Sequence, residues 1–265
     1  MSRHRVSLGA LLAVAWLLLT ALPRAGQVVN SKHDFSGRDA AGRESAACTF
    51  CHTPHRANGT PLAWNHTQSA NIYTWTKPTT DGGTPYPTIS STWTGAVRLC
   101  LSCHDGSVAI GDIAWFNGRS WEGNPIDPDD HDGDNVQIGT ASGDLLNNHP
   151  MAFPYPFGGV PSTYNGVTTG AGALAGFRPD PTASGIRLFK QVGGFVAAGT
   201  AIGATGIECS SCHDPHDNPA NVEDDMFLRG STDARDPNYI CRKCHLVMGD
   251  YEDDDSLHPH RPRFR

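Results

Sequence analysis

The sequence predicts a fold that is mostly irregular, with short helices and few short strands, and that is not built on an ordinary apolar core. The 265 residues include 29 glycines and 19 prolines, which interrupt regular elements. Hydrophobic residues make up 38% of the chain, below the usual share of globular domains. All eight cysteines fall in copies of one short motif. A group held by those cysteines is therefore expected to fill the middle of the molecule.

The first 25 residues have the pattern of a secretory signal peptide. Arg3 and Arg5 form a basic start, an apolar run extends from Leu8 to Leu22, and Ala25 is the expected cleavage point. A retained membrane anchor is the alternative, but the run is short for a span and no second one follows. We expect residues 26–265 to form one domain without a membrane span. We expect it to be secreted to the cell surface or beyond, with the periplasm as the alternative.

The charge balance argues against a nucleic-acid partner. The whole chain carries a formal charge of −7, and removal of residues 1–25 leaves 17 basic and 27 acidic residues, or −10. Phosphate backbones are bound by surfaces of the opposite sign.

Four Cys-x-x-Cys-His motifs account for every cysteine and indicate covalent haem. Two thiols at this spacing can add to the two vinyl groups of one haem, and the next imidazole then lies under the iron as proximal ligand. The motifs are Cys48-Thr-Phe-Cys51-His52, Cys100-Leu-Ser-Cys103-His104, Cys209-Ser-Ser-Cys212-His213 and Cys241-Arg-Lys-Cys244-His245.

Disulfides and zinc sites are the rival interpretations of such cysteines. Neither requires a histidine directly after each second cysteine. Four covalently bound c-type haems are the better interpretation, and their macrocycles supply the apolar mass that the side chains lack. The predicted fold class is therefore a multihaem cytochrome c, in which irregular chain and short helical turns wrap around four haems.

The remaining histidines exceed what four irons need as second axial ligands. The signal segment contains His4, and eight further histidines lie outside the four motifs: His33, His55, His66, His131, His149, His216, His258 and His260. Histidine on both sides of every iron is thus available, which favours electron transfer over chemistry at an open iron. A methionine ligand is the alternative, and Met151, Met226 and Met248 are the candidates.

Several phrases of the chain resemble the doubled-CxxCH multihaem cytochromes. They are "NSKHDFSG", "CTFCHTPHRANGTPLAWNH", "LCLSCHDGSVAIGD", "NNHPMAF" and "IECSSCHDPHDNP". Within that group the chain is most similar to the tetrahaem extracellular cytochrome nanofilaments of the OmcE type. The resemblance extends from about Asn30 to His245 and is weakest over 155–205.

The resemblance implies a ligand set and a partner. His33, His149 and His216 occupy positions that are distal haem ligands in similar proteins. The position of His55 ligates a haem of the neighbouring subunit in the filament-forming relatives. The implied partners are further copies of the same chain, joined head to tail, and other redox proteins.

The other histidines and the acidic runs have simpler interpretations. His66, close to Trp64, is expected to pack or to act as a reserve ligand, and His131, His258 and His260 to lie at the surface. The run "DPDDHDGD" (127–134) does not fit an EF-hand, because Pro128 falls where the first Asp belongs. A looser structural Ca²⁺ site is the alternative there to a solvated acidic loop.

Organisation along the chain is uneven. Residues 60–95 are rich in Thr, Pro, Gly and Trp and predict an irregular loop. Residues 155–205 form a Gly-rich stretch without a haem motif, which we expect to be a flexible insertion without a role. Within it, apolar runs on both sides of Gly193-Gly194 predict a β-hairpin.

Three functions fit these features. The first is a tetrahaem electron conduit that polymerises into an extracellular filament. The second is a monomeric periplasmic electron shuttle with the same haems. The third is a multihaem oxyanion reductase, which requires an iron with an open side. The abundance of histidine ligands favours an electron-transfer protein over an enzyme.

Overall fold

The computed structural model describes residues 28–29, 31–35, 47–54, 57, 62–108, 110, 112–113, 137–146, 148–216 and 227–246. Several predictions fall outside these residues: the signal peptide, the acidic run at 127–134, and His55, His131, His258, His260, Met226 and Met248. In the described part of the chain, no helix is both long enough and apolar enough to cross a membrane.

Short helical turns surround the cysteine motifs, as predicted. Helix α1 (Ala96–His104) ends with the second motif, helix α2 (Cys209–Cys212) is the third, and a 3-10 helix (Ile240–Lys243) begins the fourth. The first motif is a turn, in which the amide of His52 donates to the carbonyl of Cys48 at 2.8 Å. Further 3-10 helices span Phe157–Gly159, Ala171–Gly176 and Thr182–Ser184.

Two small antiparallel sheets form between the second and third motifs. The larger has the strand order β1-β6-β4-β5, with β1 at Phe153–Pro154, β4 at Phe189–Val192, β5 at Phe195–Ala198 and β6 at Thr205–Ile207. The smaller pairs β2 (Thr163–Tyr164) with β3 (Val167–Thr168).

The hairpin predicted around Gly193-Gly194 is confirmed. Strands β4 and β5 pair with Val192 opposite Phe195, which leaves the two glycines as the connecting turn. Both have positive φ, 59° at Gly193 and 83° at Gly194. A two-residue turn of this kind needs positive φ at both positions, which explains the glycine pair.

The stretch 155–205 contains more regular structure than the one hairpin that the sequence predicts. It contains most of the sheet residues, and Tyr155, Ile186 and Leu188 form a buried cluster within it. Phe177 and Cys244, the latter from the fourth motif, pack against that cluster. The stretch therefore packs against the fourth motif.

The main core places helix α1 against the irregular segment before it. Val97 and Leu101 of the helix are fully buried among aromatic residues that include Tyr73, Trp75 and Trp93. Residues 62–95 contain no helix or strand in the described structure, in agreement with the predicted loop. The loop nevertheless supplies most of the aromatic packing that fixes the second motif.

Candidate haem-binding sites

Each motif folds so that both thiols and the following imidazole share one side of a turn. The amide of His213 donates to the carbonyl of Cys209 at 3.0 Å, and that of His245 to Cys241 at 2.9 Å. This is one helical turn, in which residues i, i+3 and i+4 lie on the same face. The second motif has the same arrangement because it lies within α1. The local geometry suits attachment of one planar macrocycle at each motif.

Electrostatic interactions between cysteines indicate that consecutive motifs are neighbours. Burial, and then the neighbouring Cys100, raise the pKa of Cys51 to about 11. A hydrogen bond with Cys100 is the largest cause of the raised pKa of Cys209. Burial, followed by Cys241, raises the pKa of Cys212 to about 11. The first motif thus lies beside the second, the second beside the third, and the third beside the fourth.

Three pairs of imidazole rings have the separation that one shared metal ion requires. With metal–nitrogen bonds of about 2.0 Å, two imidazoles on opposite sides of one ion have ring centres about 6.3 Å apart. Each pair joins a proximal histidine of a motif to a histidine predicted as distal. The pairs are His104 with His33 (6.0 Å), His52 with His216 (6.1 Å) and His245 with His149 (6.5 Å).

If each pair held one iron, His33 would be the distal ligand at the second motif, His216 at the first and His149 at the fourth. His213 of the third motif and His55 are the two members of the predicted ligand set outside these pairs, and His55 lies outside the described residues.

The environment of His33 favours the form of imidazole that binds metal. Burial first, and then His104, His213 and His216, lower the pKa of His33 to about 4. Burial likewise lowers the pKa of His245. Both imidazoles are neutral at ordinary pH, and neutral imidazole is the ligating form.

Hydrogen bonds at Nδ1 orient two of these rings. His52 donates from Nδ1 to the carbonyl of Leu62 at 2.8 Å, and His149 to the carbonyl of Pro150 at 3.0 Å. With the proton on Nδ1, the lone pair of Nε2 is left for a metal. Such a bond from the far ring nitrogen accompanies most histidine ligands.

The ring of His216 is oriented by charge instead. Its Nδ1 lies 3.7 Å from Oδ1 of Asp214, and Asp214 is ion-paired with Arg229 at 2.8 Å. The carboxylate therefore faces the nitrogen that a ligating ring would leave protonated.

Aromatic residues that the sequence did not single out cover two of the imidazoles. Phe227 stacks on His33, with centroids 4.5 Å apart and planes 9° apart. Phe177 lies 4.7 Å from His245. No local pattern marks these two residues, since both meet their histidines across long stretches of chain.

The alternative ligands lie elsewhere. Met151 has its sulfur 3.8 Å from Sγ of Cys209, next to a thiol of the third motif and not in one of the imidazole pairs. His66 is buried, with its Nδ1 bonded to the carbonyl of Thr67 at 2.7 Å. It belongs to none of the three pairs, and this position agrees with the packing role.

Among the described residues, no group of three or more His, Cys, Asp or Glu side chains is arranged to hold a metal ion. A haem iron does not require one, because the porphyrin supplies four nitrogens and the protein supplies the two axial ligands. The imidazole pairs fit that requirement.

No protein-family model and no curated protein matches this chain.

Proposed function

We propose that this protein is a tetrahaem c-type cytochrome that carries electrons along closely packed haems with histidine on both sides of the iron. The observation that carries the proposal is the set of three imidazole pairs with ring centres 6.0–6.5 Å apart. Each pair combines a histidine from a Cys-x-x-Cys-His motif with one from a distant part of the chain. Each pair thus combines the two kinds of histidine and the ring separation that axial ligation of one iron would require.

The residues divide the work of holding the cofactor. The thiols of each motif would anchor one haem, and the histidine after them and the distal histidine would hold its iron. When bound, haem supplies a one-electron Fe(III)/Fe(II) couple. Phe227, which is buried and stacks on His33, would shield that couple from water at the second motif.

Ligation on both sides favours electron transfer over catalysis. A reductase for a small oxyanion needs an open position at the iron. Imidazoles paired on one iron would leave no such position at the first, second and fourth motifs. We therefore propose that the protein is not an enzyme.

The proximity of consecutive motifs supports a continuous path for electrons. The first to second, second to third, and third to fourth motifs are neighbours through their cysteines. Haems attached there would follow the order of the sequence. An electron entering at one end would then leave at the other.

The resemblance to nanofilament cytochromes extends this path beyond one subunit. We propose that His55 provides the second axial ligand to a haem of the neighbouring subunit, and the histidine inventory assigns that haem to His213. An interface of this kind is heterologous and builds an open, head-to-tail filament. The filament would be secreted and would exchange electrons with other redox proteins at its ends.

One observation favours a monomeric shuttle as the second candidate. His216 follows the third motif by three residues and pairs with His52 of the first motif in the same chain. His55 has the equivalent position after the first motif. It could therefore make the reciprocal pair, with His213 of the third motif in its own chain. All four haems would then be completed without a partner subunit.

Electron microscopy of the haem-loaded protein separates the two candidates. We expect filaments from the wild type and from His131→Ala, the matched control in the acidic run. We expect single subunits from His55→Ala, with one haem converted to a high-spin spectrum. Wild-type particles that stay monomeric across protein and salt concentrations would favour the shuttle. Protein purified without covalent haem would contradict both candidates.

A further inference from the structure

Glu208 is a buried carboxyl group to which the proposed electron path assigns no role. Its side chain is 3% exposed. Oε1 accepts hydrogen bonds from Nε1 of Trp93 at 3.1 Å and from the hydroxyl of Tyr164 at 2.8 Å. Oε2 accepts one from the amide of Val97 at 2.8 Å. The amide of Ser211 also donates to this side chain, as part of a capping box at the start of α2. All four donors are neutral, so these bonds solvate a carboxylate without balancing its charge.

The position of Glu208 joins two neighbouring motifs. Val97 lies in the first turn of α1, which carries the second motif, and Glu208 directly precedes Cys209 of the third. The close approach depends on Gly95, where a Cβ would overlap Oε1 of Glu208 and the ring of Trp93. The carboxyl group is therefore fixed at the junction of the second and third motifs.

Glu208 is the group at this junction that can change charge near neutral pH. Burial raises its pKa to about 7, against the opposing effect of hydrogen bonds from Val97, Tyr164 and Trp93. The titratable groups that face it are Tyr164 and Cys209, and the pKa of each lies well above its usual range. Burial is the largest cause of the raised pKa of Tyr164. The hydrogen bond with Cys100 is the largest cause of the raised pKa of Cys209. Both stay neutral, and a thioether at Cys209 would not titrate at all.

We propose that Glu208 is a redox-linked proton-binding site for the second and third haems. This inference rests on the proposed function, because it requires haems at both motifs. The iron–porphyrin core of an oxidised bis-histidine haem carries a net positive charge, which stabilises a nearby carboxylate. Reduction removes that charge, so Glu208 holds a proton more tightly when the neighbouring haem is reduced.

The balance involves one electron and one proton. The electron comes from a one-electron donor, a partner redox protein or a chemical reductant, and converts Fe(III) to Fe(II). The proton comes from water and forms one O–H bond on Glu208, converting carboxylate to carboxylic acid. Oxidation returns the electron to the acceptor and the proton to water. The net charge at the junction is thus kept constant as electrons pass.

The reduction potential of the neighbouring haem should depend on pH. Because proton uptake accompanies reduction, a lower pH favours the reduced haem and raises its reduction potential. The potential falls as pH rises, with a limiting slope of about 59 mV per tenfold change in proton concentration for one proton and one electron. The effect should be largest at the haems beside Glu208, because the interaction weakens with distance.

The test is a spectroelectrochemical titration of the four-haem protein between about pH 5.5 and 8.5, the range around the titration of Glu208. Wild type is compared with Glu208→Gln and with Asp81→Asn, which removes a charge from an exposed site. We expect the pH slope of at least one potential to fall twofold or more in Glu208→Gln. We expect Asp81→Asn to match wild type.

Infrared difference spectra give a second measurement that does not depend on that variant folding. We expect the reduced-minus-oxidised spectrum of wild type to contain the C=O band of a protonated carboxylic acid. The band should shift in Tyr164→Phe, because Tyr164 donates to Oε1. Suppose that the haem-loaded protein has reversible potentials, that Glu208→Gln leaves the pH slope unchanged, and that no acid band responds to Tyr164→Phe. This set of results would overturn the inference about Glu208 and leave the proposed function standing. Protein without reversible haem potentials would overturn the proposed function instead.

Discussion

The rings of His52 and His216 lie 6.1 Å apart with their planes only 22° from parallel, although one belongs to the first motif and the other follows the third. The other two pairs are close to perpendicular, at 67° for His33 with His104 and 79° for His149 with His245. The relative angle of the axial imidazoles controls the splitting of the iron d orbitals. Under the proposed ligation, the iron at the first motif would therefore be spectroscopically distinct from the irons at the second and fourth motifs.

Electron paramagnetic resonance of the oxidised protein is expected to resolve that difference. The near-parallel pair should give a rhombic low-spin signal, and the near-perpendicular pairs should give strongly anisotropic signals with a large maximal g value. His216→Ala should remove the rhombic signal and convert one of the four haems to high spin. His131→Ala should leave the spectrum unchanged. A rhombic signal that survives in His216→Ala would refute the pairing of His52 with His216.

Phe177 is expected to stabilise the fourth motif. It packs against His245 and Tyr155, so Phe177→Ala should lower the free energy of unfolding by about 2 kcal/mol, less than for a fully buried phenylalanine. The potential of one haem should change with it. Denaturant unfolding and redox titration measure the two effects. Phe195→Ala is the matched control, because that ring is 75% exposed at the hairpin; equal losses in both variants would contradict the prediction.

Gly206 is expected to tolerate no side chain. A Cβ at this position would overlap the ring of Tyr164, which is fully buried and bonded to Glu208. Gly206→Ala should therefore lower the free energy of unfolding by about 1–3 kcal/mol through overpacking. Gly176→Ala is the control, since a Cβ there meets nothing within 4 Å and its φ is not positive. Thermal unfolding of both variants gives the comparison.

The stability of the reduced protein is expected to depend on pH through Glu208. Its folded-state pKa of about 7 exceeds the ordinary 4.5, so the folded state binds the proton more tightly than the unfolded state. Stability from this group is present below pH 4.5 and is lost as pH rises through 7, by about 3 kcal/mol in all. Denaturant unfolding at acid and alkaline pH should show this loss in wild type and not in Glu208→Gln. Parallel pH profiles for the two proteins would refute the assignment.

Local sequence patterns were enough to predict the motifs, their helical turns and the hairpin. The turn at each motif needs only the spacing of Cys, Cys and His, and the Gly193-Gly194 hairpin needs only its own turn. The pairing of proximal with distal histidines could not be predicted, because it depends on contacts such as His33 with His104 that span much of the chain. Glu208 gave no sequence signal either, since its burial is created by Trp93 and Tyr164 from distant segments.

The sheet of residues 153–207 was missed for a different reason. Its strands are two to four residues long, so alternation of apolar and polar residues has no length over which to appear. Glycine is also frequent in this stretch, and it is typical of loops. Packing of Tyr155, Ile186 and Leu188 is what organises it, and such packing is visible only in three dimensions.

The three imidazole pairs close loops that overlap along the sequence: 33 to 104, 52 to 216, and 149 to 245. Under the proposed ligation, each iron acts as a staple between two remote segments, and every loop contains one end of another. Closing one loop lowers the entropic cost of closing the next, because less free chain then separates the remaining ends. A chain poor in apolar residues could thus fold cooperatively by stapling, with assembly completed only after all the haems are attached.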